Sequence, residues 1–166
     1  MVFNLKIMAL AALIPMVVGF IYYHPKLIGG AWMRVNNLTE EKLKASNFAL
    51  ILVVSLLLAF MMSMAVNGLV IHQNHVFSTL ANEPNVRQPG SPAFVFLENF
   101  MKQYGQNFRT FKHGALHGFL FSVFFVLPLI ATGAMFERRG AKYIFINWGY
   151  WVITVTLMGG VICQFS

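Results

Sequence analysis

The chain has no aspartate, five glutamates, one cysteine and twelve lysines or arginines in 166 residues. Charged residues make up 10% of it, against roughly 25% in an ordinary soluble domain. A lone Cys163 cannot close a disulfide within the chain, so a disulfide scaffold is excluded. There is no HExxH sequence, no cysteine cluster, no glycine-rich phosphate loop and no nucleophile elbow. No catalytic residue, resident metal or cofactor is therefore assigned, and the protein is not expected to be an enzyme.

In place of charge there is apolar surface. Hydrophobic residues are 58% of the chain and the mean hydropathy is +0.66. This excludes a disordered protein and points to an integral membrane protein. A helix crossing the roughly 30 Å hydrocarbon layer needs about 20 apolar residues. Four runs qualify: residues 5–23, 48–71, 114–136 and 143–165. They are continuous rather than alternating, which excludes a β-barrel. The expected fold is all-α, one membrane domain over residues 1–166, built as a four-helix bundle. The first run could be taken for a signal peptide, but it is long, contains Pro15 and ends in Tyr22-Tyr23-His24-Pro25 without a small-residue cleavage site. It reads as a retained helix that Pro15 bends.

Four spans put both termini on one side with the loop between spans two and three. That side carries Lys6, Arg87, Lys102, Arg109 and Lys112. The other carries Lys26, Arg34, Lys42, Lys44, Arg138, Arg139 and Lys142, the last three crowded into one short turn. The positive-inside tendency then predicts loops one and three in the cytoplasm and both termini outside. The net charge of +7 reads as topology and contact with anionic membrane lipid, not as nucleic-acid binding.

Helices in lipid associate through small residues. Ser55, Ala59, Ser63 and Asn67 form an i, i+4 ridge on span two, and Gly114, Gly118 and Ser122 form another on span three. Gly149, Thr156, Gly160 and Cys163 make a seam on span four. These faces are expected to meet. A sharper alternative is a small-solute or ion pathway, made by a homo-oligomer around Ser55, Ser63, Asn67 and Thr156.

Two loops are long enough to hold structure of their own. In loop one, Pro25 ends the helix and Gly29-Gly30 permit a turn. Thr39 followed by Glu40-Glu41 predicts a capped helix running into span two. In loop two, Ser91-Pro92 start an amphipathic helix over residues 92–112. Phe94, Leu97, Met101, Tyr104, Phe108 and Phe111 fall on one face of it, and Glu98, Lys102, Gln106 and Arg109 opposite. Such a helix lies in the membrane interface or covers the bundle's end, and its apolar face offers a surface to a partner subunit.

Four histidines, His72, His75, His113 and His117, fall on one side of the membrane in this topology. His113 and His117 are spaced i, i+4, so one helical face carries both rings, and neutral imidazoles there can share a metal. Glu98 could add an oxygen. The plainer reading is hydrogen bonding at the interface. No span holds a mid-membrane acid or base of the kind coupled transporters use. The best overall reading is a non-enzymatic accessory or assembly subunit of a larger membrane complex. A solute pathway and a His-dependent metal-binding protein or enzyme are the alternatives.

Three stretches carry a resemblance: YYHPKLIGGAWMR at residues 22–34, FKHGALHGF at 111–119 and FERRGAKYIFINWGYW at 136–151. They resemble the domain of unknown function 1761 family. Tyr22 and His24 stand where that pattern has Trp and Ser. The resemblance covers nearly the whole chain. It implies a small polytopic protein of the bacterial inner membrane and no established activity.

Overall fold

A computed structural model describes residues 3–166. All regular secondary structure among the described residues is helical, with no strand. Four helices are long and apolar enough to cross a membrane: Leu5–Tyr22, Phe48–Val70, Phe111–Phe136 and Ala141–Phe165. They are the first to fourth spans below. The third starts three residues earlier than its apolar run suggests, because Thr110 Oγ1 accepts from the His113 amide at 3.3 Å and caps the helix there.

Much of the surface is apolar. Leu57, Phe124 and Phe136 are among many large apolar residues turned outward; Phe136 is 84% exposed. Ser63, Asn67, Ser122 and Thr154 are fully buried. Apolar exposure on this scale departs from the soluble pattern and is compatible with a multi-pass membrane protein.

Two spans are irregular, each for a proline's reason. The first breaks at Ala12-Leu13 into Leu5–Ala11 and Ile14–Tyr22, just ahead of Pro15. The third widens into a π turn over Ser122–Val126 before Pro128. A proline ring has no N–H and clashes with the carbonyl four residues back, and a wider turn relieves that. Trp148 Nε1 of the fourth span donates to the Ser122 carbonyl at 3.0 Å.

The closest packing joins the third and fourth spans. A Cβ on Gly114 would overlap the Gly159 carbonyl and the Cys163 Cβ; one on Gly118 would overlap the Val155 carbonyl. Gly159 meets Gly114 in the same way. Gly149 lies under the Tyr22 hydroxyl and Gly160 under the Phe111 ring. On the second span Ala59, Ser63 and Asn67 face inward, but Ser55 is exposed. The ridge is therefore one turn shorter than its spacing suggests.

Three loop expectations are corrected. Gly29 and Gly30 adopt ordinary helical dihedrals within Pro25–Gly29 and Gly30–Asn36. Gly29 is instead pressed on the Tyr23 carbonyl, where any Cβ would collide. Thr39 caps Glu40–Lys44 as expected, but that helix stops at Ala45, and Asn47 starts the second span afresh by capping Leu50. The loop-two helix is Pro92–Tyr104, shorter than residues 92–112, and a separate helix Gln73–Thr79 precedes it. Ser91 caps it as expected. Arg139 Nη1 of loop three donates to the Val35 carbonyl at 3.3 Å, tying loops one and three together.

Replacing Gly118 with Val should separate the third and fourth spans. Overpacking of this kind costs about 1–3 kcal/mol. Thermal unfolding in detergent should show a clear loss of stability for Gly118→Val and little change for Gly68→Ala, where nothing lies within 4 Å of the added carbon.

A candidate three-histidine metal centre

The second span ends in a sharp corner. Ile71 (φ −102°, ψ 89°) leaves the helix, and His72 opens the next one. The corner is held by a buried side-chain bond, Asn74 Nδ2 donating to Asn67 Oδ1 at 2.9 Å. It directs His72 toward the start of the third span, where His113 and His117 lie one turn apart. The Nε2 atoms of His72 and His113 are 2.8 Å apart. The His72 ring centroid is 5.0 Å from that of His113 and 4.8 Å from that of His117, and the latter two are 4.5 Å apart. One nitrogen from each of the three lies within 4.8 Å of the other two. All three residues are half-buried.

Residues 105–110 close one side of the triad. Phe108 packs its ring 5.1 Å from His113 and 6.5 Å, edge-on, from His72. It sits in the left-handed region, at φ 61°, a conformation a bulky residue adopts only when its surroundings impose it. Gln73 Nε2 donates to the Tyr104 and Asn107 carbonyls at 3.0 Å each. Cys163 Sγ reaches the Phe108 carbonyl at 3.3 Å. Arg109 Nε donates to the Cys163 carbonyl at 3.3 Å, and its Nη2 donates to the Ser166 carbonyl, capping the fourth span with a cation. The Phe111 amide donates to Gln164 Oε1 at 2.9 Å.

Burial holds the His72 pKa below its ordinary value, and the neighbouring imidazoles of His117, His113 and His75 add to the effect. Both causes favour the neutral ring, the form that ligates a metal.

Of the four histidines singled out in the sequence, three come together. His75 is exposed and its ring is 6.5 Å from that of His72, outside the triad. Glu98 is not with them. It lines a separate groove of about 720 Å³ together with Phe77, Arg87, Phe94, Leu97 and Met101. So the inward residues of the loop helix lie over the preceding helix, with Leu97 buried. Tyr104 and Phe108 instead join Phe100, His72, Gln73 and Asn107 around a cleft of about 370 Å³. Phe111 belongs to the third span. Sequence reasoning missed Gln73 and Asn107 and placed Arg109 only on the polar face of the loop helix. Their contacts join segments far apart in the chain, and the one local signal is a polar Gln73 directly after His72.

Removing the Gln73 amide should loosen the segment over the triad. Two bonds from a buried donor are worth about 1–3 kcal/mol together, so Gln73→Leu should speed amide exchange across residues 105–110 by roughly tenfold or more. Hydrogen exchange with mass spectrometry reads this, and unchanged protection would show that the other contacts hold the segment alone.

No curated protein and no solved structure matches the chain. A family pattern, described as "Protein of unknown function (DUF1761)", matches residues 7–163. That match runs over nearly the whole chain, both spans that carry the triad included, and the protein belongs to the DUF1761 family.

Proposed function

We propose that this membrane protein binds one divalent transition-metal ion through His72, His113 and His117. The observation that carries the reading is the convergence of three imidazole nitrogens within 4.8 Å of one another. Imidazole ligands suit zinc, copper and nickel better than calcium or magnesium. At metal–nitrogen distances of about 2.0–2.1 Å, tetrahedral ligand atoms stand roughly 3.3–3.4 Å apart. The 2.8 Å between His72 and His113 is shorter, the length of a hydrogen bond between two neutral rings. An ion would replace that shared proton once His72 and His113 move apart by about half an ångström and the widest nitrogen separation, up to 4.8 Å, closes by up to about 1.5 Å through side-chain rotation. With loops one and three in the cytoplasm, as the Lys/Arg density predicts, the centre lies at the outer face of the membrane.

The competing readings draw less support. A pathway around Ser55, Ser63, Asn67 and Thr156 needs one wettable face, yet Ser63 and Asn67 are sealed and Ser55 points outward. An accessory-subunit role rests on those residues of the expected partner surface that stay exposed, such as Tyr104 and Phe108, which lipid would cover as well as a partner would.

The test is metal content and reloading. The purified protein, stripped with chelator and titrated with Zn²⁺ or Co²⁺, should take up about one equivalent. Single changes of His72, His113 or His117 to Ala should each weaken binding by more than about tenfold, while His75→Ala should not. Retention of full affinity by the triad variants, or no uptake by the unchanged protein, would sink the reading.

A further inference from the structure

Three imidazoles leave a four-coordinate ion one position without a protein ligand. Structural zinc sites are closed by four protein ligands, whereas sites that bind an exogenous molecule keep that position open. His72 belongs both to the triad and to the wall of the 370 Å³ cleft. Cavities of this size, at the lower end of the range for small ligands, admit a single ring.

The lining restricts the ring's chemistry. Gln73, Asn107 and His72 are polar and Phe100, Tyr104 and Phe108 are aromatic; no lysine, arginine, aspartate or glutamate is among them. An ionised molecule would lose its hydration there without a counter-charge, so a neutral one is favoured. Flat aromatic walls favour a flat aromatic guest. Outside the cleft the aromatic surface continues. Phe96 is exposed and stacks on Phe100 with centroids 6.4 Å apart, and Phe100 meets Tyr104 at 5.3 Å. This i, i+4 ladder leads from an outward-facing apolar residue to the cleft beside His72, a path along which an apolar tail can lie.

We infer that the metal-loaded site takes a membrane-soluble phenol or hydroquinone, its ring in the cleft, its hydroxyl oxygen on the ion and its tail along Phe96 and Phe100. The inference rests on the metal reading above. A divalent ion lowers the pKa of a hydroxyl bound to it. The hydroxyl oxygen replaces a water on the ion, its proton passes to solvent, and no electron is transferred.

The experiment uses the full chain in lipid nanodiscs, loaded with Co²⁺, whose visible spectrum reports its ligands. The probe is decylhydroquinone, kept reduced under argon. Titration should change the cobalt spectrum saturably. Decylcyclohexanol, with the same tail and a hydroxyl on a non-aromatic ring, should bind about tenfold more weakly or worse. Phe100→Ala and Tyr104→Ala should each weaken the hydroquinone by about tenfold while leaving cobalt affinity within about threefold. Tyr104→Phe, which keeps the ring, should bind normally. A cobalt spectrum that hydroquinone leaves unchanged, or equal binding after Phe100→Ala, overturns the inference and leaves the metal reading standing. Failure to take up cobalt removes both.

Discussion

Everything else in the molecule depends on the near-contact of two backbones. Gly114 and Gly118 of the third span lie against Gly159 and Val155 of the fourth with no room for a side chain. Apolar contact alone gains little in lipid, where every helix is already among hydrocarbon. Close backbone approach gains dispersion and weak Cα–H contacts that a bulky interface cannot reach. The same two glycines flank His113 and His117 in sequence. Packing the glycine face against the fourth span fixes the rotation of the third, and with it the direction in which the two imidazoles project. The packing residues and the candidate ligands are therefore set by one choice of helix register.

The third imidazole needs a second device. His72 is 41 positions from His113 in sequence and reaches it through a corner, not a helix face. Asn67 and Asn74 hold that corner with an amide–amide bond placed where no water competes. Gln73 then ties the corner to residues 105–110, and Arg109 ties the same segment to the end of the fourth span. Phe108 occupies its left-handed conformation between these two anchors. The segment over the triad is thus held from both sides by side chains that bond to main-chain carbonyls, which is how a loop without regular structure keeps one shape.

How much of this the sequence discloses follows from the range of each interaction. The four spans were legible because bilayer thickness imposes a length and continuity that local composition reports directly. The caps at Thr39 and Ser91 were legible because each bonds an amide three residues on. The i, i+4 pair His113 and His117 was legible from helical geometry. The membership of His72 and the exclusion of Glu98 were not, because a corner and a separate groove decide them. In the sequence the amphipathic period continues past Tyr104, since Phe108 and Phe111 fit its apolar arc. In the fold Gly105 weakens the helix and Gln73 takes the carbonyls of Tyr104 and Asn107 for itself. Gly159 is not legible in the sequence because it adjoins Gly160, and only the partner helix decides which of the two makes the backbone contact.

The number of histidines is itself an argument about what the end of the bundle is for. A structural cap needs one satisfied pair, and His72 with His113 provides it, at a net worth of about 1 kcal/mol. His117 adds nothing to that bond. It makes ring contacts with both partners but no hydrogen bond among the described residues, and it gives up hydration to be there. That cost has no return while the rings hold only a shared proton. It is recovered when a cation sits between them, because then all three lone pairs are used. With no carboxylate or thiolate in the triad, the ion would keep its full charge. That makes it a strong Lewis acid toward whatever neutral hydroxyl reaches the fourth position, and the uncharged aromatic cleft beside His72 is where such a molecule can reach it.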